Sequence, residues 1–298
     1  MVFAKLLHNP GAGEGEHSKE KLLLLIESGG FNCSYYSTKN IKWGDLKIGK
    51  LDFIIVAGGD GTIRQSAEVL LSRRLRDKKI PIALLPLGTA NNIAETLGVM
   101  GDTEEIILNW KKGNVKKFDI GRISNLKKNK FILEGFGFGL FPRLMKEMKQ
   151  RTSRLDNPDE KLNVALHYLK KITQQLKASH YKIISDNVDY SGEYLLVEVL
   201  NTKSIGPNLN LAPDADPGDG TFDLVMIKED QRIAFETYVD RRIKNGKEEP
   251  GSFNRIRAKK IEIYSEEKMY HVDDQLQYFE KPTLVKIEII EGALDFIV

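Results

Sequence analysis

A single cysteine, Cys33, stands in 298 residues, which excludes an intrachain disulfide and points to a reducing compartment. No apolar run approaches the roughly 18–20 residues that cross a bilayer, so the chain is expected to be soluble, or at most peripheral to a membrane. The opening residues, Met1 to His8, are too few and too soon interrupted to read as a signal peptide. The five histidines show neither a His-x-x-x-His nor a carboxylate–His spacing, which argues against zinc chemistry. An excess of charge is missing too: 45 basic residues face 42 acidic ones, for a net charge of +3. A pI near 8.6 suits proximity to an anionic surface and does not demand nucleic acid. The sequence contains no internal repeat and no low-complexity tract. What remains, 41% hydrophobic and 29% charged, is a globular composition in a chain long enough for two domains.

One stretch organises the rest: Phe53-Ile54-Ile55-Val56-Ala57-Gly58-Gly59-Asp60-Gly61-Thr62. An unbroken apolar run with three β-branched residues reads as a parallel strand buried on both faces. It ends in three glycines around one acid and one hydroxyl. Glycine lacks a Cβ, so the backbone there can turn sharply and approach a ligand closely. Residues 63–71 suit a helix, which places this loop at a strand's carboxyl end and a helix's start. Free N–H groups and the positive end of the helix dipole favour phosphate at such a position. The expected site is a nucleotide-phosphate loop.

The flanking sequence repeats the pattern. Residues 2–8 read as a strand closed by Asn9-Pro10-Gly11-Ala12-Gly13, and residues 18–28 as a leucine-rich helix stopped by Gly29-Gly30. Residues 31–37 form a second strand ending near Thr38. Residues 80–87 form a further buried strand, after which Gly88-Thr89-Ala90-Asn91-Asn92 opens a helix running to Leu97. Alternating strands and helices at short spacing predict a parallel sheet with right-handed crossovers. Ligands of such sheets lie at the carboxyl ends of the strands.

The texture changes after about Gly121. A lysine-rich turn at 125–130 leads into strand candidates at 131–138, 181–187, 190–201, 221–228, 257–265, 269–273 and 284–290, with a turn at 187–189. This predicts an antiparallel sheet or sandwich. Helices are expected at 140–151, 160–177 and 231–245. The first two carry Arg143, Lys146, Lys149, Arg151, Arg154, Lys161, Lys170, Lys171 and Lys177, which is either a solvated helix face or a surface for anionic lipid.

The three glycine-rich loops occur in a fixed order: Asn9 to Gly13, then Gly58 to Thr62, then Pro86-Leu87-Gly88-Thr89-Ala90-Asn91. With them, Ala212-Pro213-Asp214-Ala215-Asp216-Pro217-Gly218-Asp219-Gly220-Thr221-Phe222-Asp223 and Val272-Asp273-Asp274-Gln275 make nearly the whole chain resemble the diacylglycerol kinase catalytic-domain family, which includes bacterial lipid kinases and sphingosine kinases. The tail, Gly292-Ala293-Leu294-Asp295-Phe296-Ile297, is similar to that family's closing segment.

The resemblance implies a fold and a site. The fold is an α/β N-terminal domain with a parallel sheet of the NAD kinase and phosphofructokinase kind, followed by a β-rich antiparallel sandwich. The nucleotide-binding domain would cover 1–122, the lipid-substrate domain 123–286, and the tail 287–298 would return to the first domain. ATP would meet Asn9, Gly11, Ala12, Gly13, Thr38, Gly58, Gly59, Asp60, Gly61, Thr62, Gly88, Thr89 and Asn91. Mg²⁺ would involve Asp60 and Asp119, with a structural ion at Asp219 and the backbone carbonyls of Asp216 and Thr221. Asp273 would take the proton of a lipid hydroxyl, and Gln275 belongs to the same catalytic segment. The implied reaction is transfer of the γ-phosphate of ATP to a lipid alcohol such as diacylglycerol. The expected partner is a lipid substrate at a membrane surface and not nucleic acid, with a cytoplasmic location, peripheral contact to the inner face of the membrane, and a homodimer left open.

Other readings of these residues stay open. Asp60 could cap the helix after its loop, and Asp273-Asp274 could be an ordinary hairpin turn. The acids of the 212–223 loop make either a solvated turn or a hard-cation site. Gly135-Phe136-Gly137-Phe138-Gly139 lies outside any βαβ unit and is expected to be a strand packed closely on a neighbour, or part of a lipid-tail channel. The family's usual Asn-Glu pair is Arg64-Gln65 here, Asn92 stands for an aspartate, and Asp274-Gln275 replace Gly-Glu. An amide keeps a carboxylate's shape but cannot neutralise a cation or act as a base. Two alternatives follow: an NAD kinase-like small-molecule kinase, and a catalytically silent nucleotide-binding protein associated with a membrane.

Overall fold

The structure is a computed structural model describing residues 2–12, 17–40, 51–72, 79–126, 131–151, 157–246 and 251–298. Two compact units emerge: residues 1–118 with 292–298, and residues 119–291.

In the N-terminal unit, β1 (Phe3–His8), β2 (Asn32–Ser37), β3 (Phe53–Gly58) and β4 (Ile82–Pro86) lie in the order β2-β1-β3-β4, all parallel. All six residues of β3 are buried, as its unbroken apolar run demands. At about 1.5–3 kcal/mol for each large apolar side chain removed from water, this central strand anchors the unit. Helix α1 (Lys19–Ser28) starts where the Ser18 side chain accepts the Lys21 N–H, and it buries Leu22 and Ile26. Helix α2 (Asp60–Ser72) begins directly at the acid of the central loop, earlier than the expected residue 63. Helices α3 (Asn92–Leu97) and α4 (Thr103–Asn109) follow β4. Sequence reading gave no helix at α4, a single short stretch of mixed polarity. Phe31, Phe53 and Trp110 pack edge to face at 5.5–5.8 Å. The end of the chain completes this sheet, with Phe296 and Ile297 pairing in parallel with Ile82 and Ala83.

The C-terminal unit is antiparallel and β-rich. Strand β5 (Val115–Ser124) runs through the division between the units, then come β6 (Phe131–Ile132), β7 (Gly135–Gly139), β8 (Ser179–Ser185), β9 (Val188–Asp189), β10 (Gly192–Leu200), β11 (Ser204–Ile205) and β12 (Leu209–Asn210). After them come β13 (Phe222–Lys228), β14 (Asn254–Ala258), β15 (Lys260–Ser265), β16 (Met269–Val272), β17 (Gln275–Tyr278) and the long β18 (Thr283–Ile297). The order runs β17-β16-β7-β10-β8-β15-β18, with β13 and β14 continuing from β10. Helices α5 (Leu140–Arg151), α6 (Pro158–Gln175) and α7 (Arg232–Asn245) match the three expected insertions to within two residues. No helix among the described residues is long and apolar enough to cross a membrane.

The sheet is buried on both faces at its centre. Phe136, Phe138, Val197, Val199, Leu224 and Met226 enter one core with the opposing strands. Leu196, Leu200, Val225 and Ile227 enter another with Leu140, Phe141, Leu169 and Phe235 of the helices. That is why the sequence here runs apolar without the simple alternation of a half-wet strand.

Two expected strands are each broken in two. The stretch 257–265 divides at Lys259, because the Asp186 carboxylate accepts the N–H groups of Lys259 (3.0 Å) and Lys260 (2.9 Å). The stretch 131–138 divides at Leu133-Glu134, where the carboxylate of Asp273 plays the same part. The turn placed at 187–189 centres on Asp186 and Asn187, both at positive φ, and Val188–Asp189 is already strand. Strand β17 was not expected, since Gln275-Leu276-Gln277-Tyr278 is short and largely polar.

Candidate functional site

Three loops at the carboxyl ends of β1, β3 and β4 interlock within the N-terminal unit. The Asn9 N–H donates to Ala57 O (2.9 Å), its Oδ1 accepts the Gly11 N–H (3.0 Å), and its Nδ2 reaches Thr62 Oγ1 (3.4 Å). Ala12 closes the same turn onto Asn9 O (3.0 Å). Thr38, at the end of β2, donates its N–H to His8 O (2.8 Å). Burial lowers the His8 pKa, with His17 adding to the effect. Its Nδ1 lies 3.2 Å from Tyr35 Oη.

The second and third loops meet glycine to glycine. A Cβ on Gly59 would stand 3.0 Å from Gly88 Cα, and one on Gly88 would overlap the Gly59 backbone. A Cβ on Gly58 would collide with Thr62 at 2.5 Å. Here the missing side chain is a packing requirement. Asn91, at φ 55°, holds the third loop: its Oδ1 accepts the Gly88 N–H (2.9 Å) and its Nδ2 donates to Gly88 O (2.8 Å). Asparagine tolerates this left-handed backbone better than most residues. Gly61 and Thr62 sit in the first turn of α2, and Thr89 lies in the bend before α3.

Asp60 bridges two of the loops. Its Oδ2 accepts the Asn92 N–H (2.9 Å) and its Oδ1 the Ile93 N–H (3.1 Å). It therefore caps a helix, but α3 rather than the α2 that it begins. The carboxylate is half-buried, an oxygen donor of the type Mg²⁺ takes alongside phosphate oxygens. The unit thus gathers Asn9, Gly11, Ala12, Gly58, Gly59, Asp60, Gly61, Thr62, Gly88, Thr89 and Asn91 around one set of strand ends, with Thr38 on the neighbouring β2. Gly13 lies outside the described residues.

The acids of the C-terminal unit form two groups. Asp119 donates its N–H to Pro217 O (2.5 Å) and accepts the Gly220 N–H at Oδ2 (2.8 Å), so β5 grips the 217–220 turn. Asp216 O accepts the Asp219 N–H (3.1 Å). Asp219 Oδ1 accepts both the N–H (2.9 Å) and Oγ1–H (2.8 Å) of Thr221, while its Oδ2 lies 3.5 Å from Arg257. Among the described residues no three His, Cys, Asp or Glu side chains stand close enough to share a metal ion. The turn over Asp216, Asp219 and Thr221 is closed by its own hydrogen bonds, with Arg257 beside Asp219.

The second group centres on Asp273. It occupies the turn between β16 and β17 at φ 51° and is buried, so the hairpin-turn reading is correct as geometry. Its Oδ1 accepts N–H groups from Leu133 (3.0 Å), Glu134 (2.8 Å) and Gly135 (3.1 Å), and Oδ2 a longer one from Leu133 (3.2 Å). Its own N–H donates to Gly135 O (2.8 Å). Asp274 is exposed and Gln275, first in β17, is half-buried. Asn201 braces this corner, donating from Nδ2 to both Asp119 O and Leu133 O (2.9 Å each).

Sequence reasoning missed Asn201, Glu198 and His271. His271 Nε2 lies 2.8 Å from the carboxylate of the fully buried Glu198. Burial raises the Glu198 pKa, against the opposing pull of His271. The two are far apart in sequence, so no local spacing could have paired them. Of the basic residues on α5 and α6, Arg143 is committed to Glu267 (2.9 Å) and Lys170 to Asp240 (2.7 Å). Lys146, Lys149, Lys171 and Lys177 are exposed. Arg154 and the side chain of Arg151 lie outside the described residues.

Comparison with known proteins adds the lineage. Residues 4–123 match the family described as Diacylglycerol kinase catalytic domain, and residues 146–298 the YegS C-terminal NAD kinase beta sandwich-like domain. The chain is 25% identical to a diacylglycerol kinase of Bacillus subtilis (strain 168) over 98% of its length and 87% of that protein. It is 26% identical to a diacylglycerol kinase of Staphylococcus aureus (strain MRSA252), over 76% of its length and 70% of that protein. A crystal structure of a diacylglycerol kinase from Bacillus anthracis str. Sterne superposes with a TM-score of 0.73 at 24% identity, covering 99% of this chain and 96% of that one. An NAD kinase from Archaeoglobus fulgidus in complex with ATP superposes at 0.55 with 14% identity, over 100% and 94% of the two chains, and shares the fold.

Proposed function

Given that the chain belongs to the diacylglycerol kinase family, with its catalytic domain followed by the YegS-type C-terminal domain, we propose that it transfers the γ-phosphoryl group of ATP to the hydroxyl of a lipid alcohol, diacylglycerol or a close relative. The observation that carries this reading is the interlock of the three loops: Gly59 against Gly88, Asn9 on Thr62, and Asp60 on the first N–H groups of α3. Backbone N–H groups at strand ends, with one carboxylate among them, are what a triphosphate and its cation require.

In the reaction the lipid oxygen bonds to the γ-phosphorus as the bond to the β–γ bridging oxygen breaks, and ADP leaves. Phosphoryl transfer passes through a loose transition state and asks the protein mainly for placement and charge. Asp273 orients the attacking hydroxyl and receives its proton as the new bond forms, with Oδ2, the oxygen in the longer hydrogen bond, as the acceptor. A carboxylate held by backbone N–H groups has a fixed aim. That suits a hydroxyl whose proton is lost late. Asp60 would hold Mg²⁺ together with the phosphates, and the ion supplies charge neutralisation there. Gln275, an amide, orients without accepting a proton. Peripheral contact with an anionic membrane, through lysines such as Lys146 and Lys149, would bring the enzyme to its substrate.

The test is incubation of the protein with γ-labelled ATP, Mg²⁺ and a mixed lipid extract. A labelled lipid is expected. Label on NAD would move the assignment to a small-molecule kinase, a reading that the shared NAD kinase fold motivates. ATP binding without turnover on any acceptor would identify a silent nucleotide-binding protein.

A further inference from the structure

The glycine-rich strand β7 has so far no function. Its central residue, Gly137, pairs with Glu198 of β10 on one side and with His271 of β16 on the other. The three positions form one row across the sheet, on the face opposite Phe136 and Phe138. With no side chain at Gly137, the row has a gap one strand wide, and the carboxylate of Glu198 crosses it to reach His271 Nε2 (2.8 Å). A Cβ at Gly137 would overlap that carboxylate. The other ring nitrogen, Nδ1, lies 2.9 Å from the backbone oxygen of Asp273. A carbonyl oxygen can only accept, so Nδ1 carries the hydrogen. Nε2 faces the Glu198 carboxyl across the second hydrogen bond. Both side chains are fully buried, and Phe141 closes the ring edge-on at 6.4 Å.

We propose that Glu198 and His271, bridged over Gly137, are positioning residues that fix the left-handed backbone of Asp273 and hence the aim of its carboxylate. The inference rests on the role given to Asp273 above. The peptide after a left-handed residue can rotate, and the Nδ1–H bond to Asp273 O stops it. The side chain then has one way to meet the N–H groups of Leu133, Glu134 and Gly135. An ordinary turn needs no buried histidine–carboxyl pair beneath it.

Two substitutions at one position separate the two bonds. His271→Asn keeps a donor where Nδ1 was, and His271→Gln keeps one where Nε2 was. Likewise Glu198→Gln preserves a partner for the ring, and Glu198→Leu removes it. The full chain is assayed with ATP and the lipid that the wild type phosphorylates, alongside thermal melts. His271→Gln and Glu198→Leu should lose at least tenfold in kcat with the KM for ATP within twofold. His271→Asn and Glu198→Gln should recover to within threefold of wild type. A readout independent of turnover is the amide NMR signals of Leu133, Glu134 and Gly135. They should move in His271→Gln and stay in His271→Asn. Unmoved amides or an undiminished kcat in His271→Gln would overturn the proposal, as would equal losses in the Asn and Gln variants. Should Asp273→Asn itself keep full kcat, the catalytic reading of Asp273 falls. A loss in Asp273→Asn beside full activity in His271→Gln removes only the positioning role.

Discussion

Asp186 and Asp273 solve the same backbone problem in two places. Each is a left-handed residue in a hairpin turn, at φ 46° and 51°, and each breaks a neighbouring strand by accepting consecutive N–H groups with its carboxylate. The difference lies in what stands around them. Asp186 is exposed and holds two N–H groups, those of Lys259 and Lys260. Asp273 is buried, holds three, and has the His271–Glu198 pair beneath its carbonyl. A turn can be closed the first way. The second adds buried polar groups that cost desolvation, and such a cost points to a role beyond turn closure.

Asp273→Asn should have the largest effect in this comparison. Turnover should fall by about 10²–10⁴-fold, the usual span for losing a proton acceptor, with ATP affinity unchanged by calorimetry. Asp186→Asn should leave turnover intact and cost about 0.5–1.5 kcal/mol in urea unfolding, the net worth of a hydrogen bond lost at an exposed turn. If both variants lost turnover alike, the two turns would be equivalent and the contrast would collapse.

Next in size is Gly88→Ala. The new methyl group would meet Gly59 Cα, so the loops must part. ATP affinity should fall at least tenfold, with about 1–3 kcal/mol of stability lost to overpacking. Asp60→Ala takes the acceptor from the Asn92 and Ile93 N–H groups. It should cost about 0.5–2 kcal/mol as a lost cap and raise the Kd for ATP, whereas Asp273→Asn should not. The smallest effect belongs to Arg122→Ala. Its partner Glu288 is also exposed, and pairs of this kind contribute about 0–1 kcal/mol. A larger change in its unfolding midpoint would mean that exposed pairs matter here more than the buried turns.

Much of the N-terminal unit was legible because its information is local. The apolar run at Phe53 to Ala57, the glycines after it and the alternation of strand with helix are short-range signals, and the strands formed where they indicated. The interlock was only partly legible. That Gly59 and Gly88 touch, and that Asp60 caps α3 instead of α2, depends on loops brought together by the sheet. The C-terminal unit was legible as antiparallel and β-rich but not in detail. Lys259 and Leu133 gave no sign of a strand break, because the groups that break them, Asp186 and Asp273, lie more than seventy residues away in sequence. His271 and Glu198 stayed hidden for the same reason. A histidine two residues before a candidate base is the one local hint of the pair.

The account is tested most directly by one assay: wild type and Asp273→Asn incubated with γ-labelled ATP and a mixed lipid extract, and the products identified by mass spectrometry. The wild type should add a single phosphoryl group to a lipid alcohol, and the variant should bind ATP equally well while adding almost none. Labelled lipid formed at the same rate by both proteins, or no labelled lipid from a wild type that binds ATP, would contradict it.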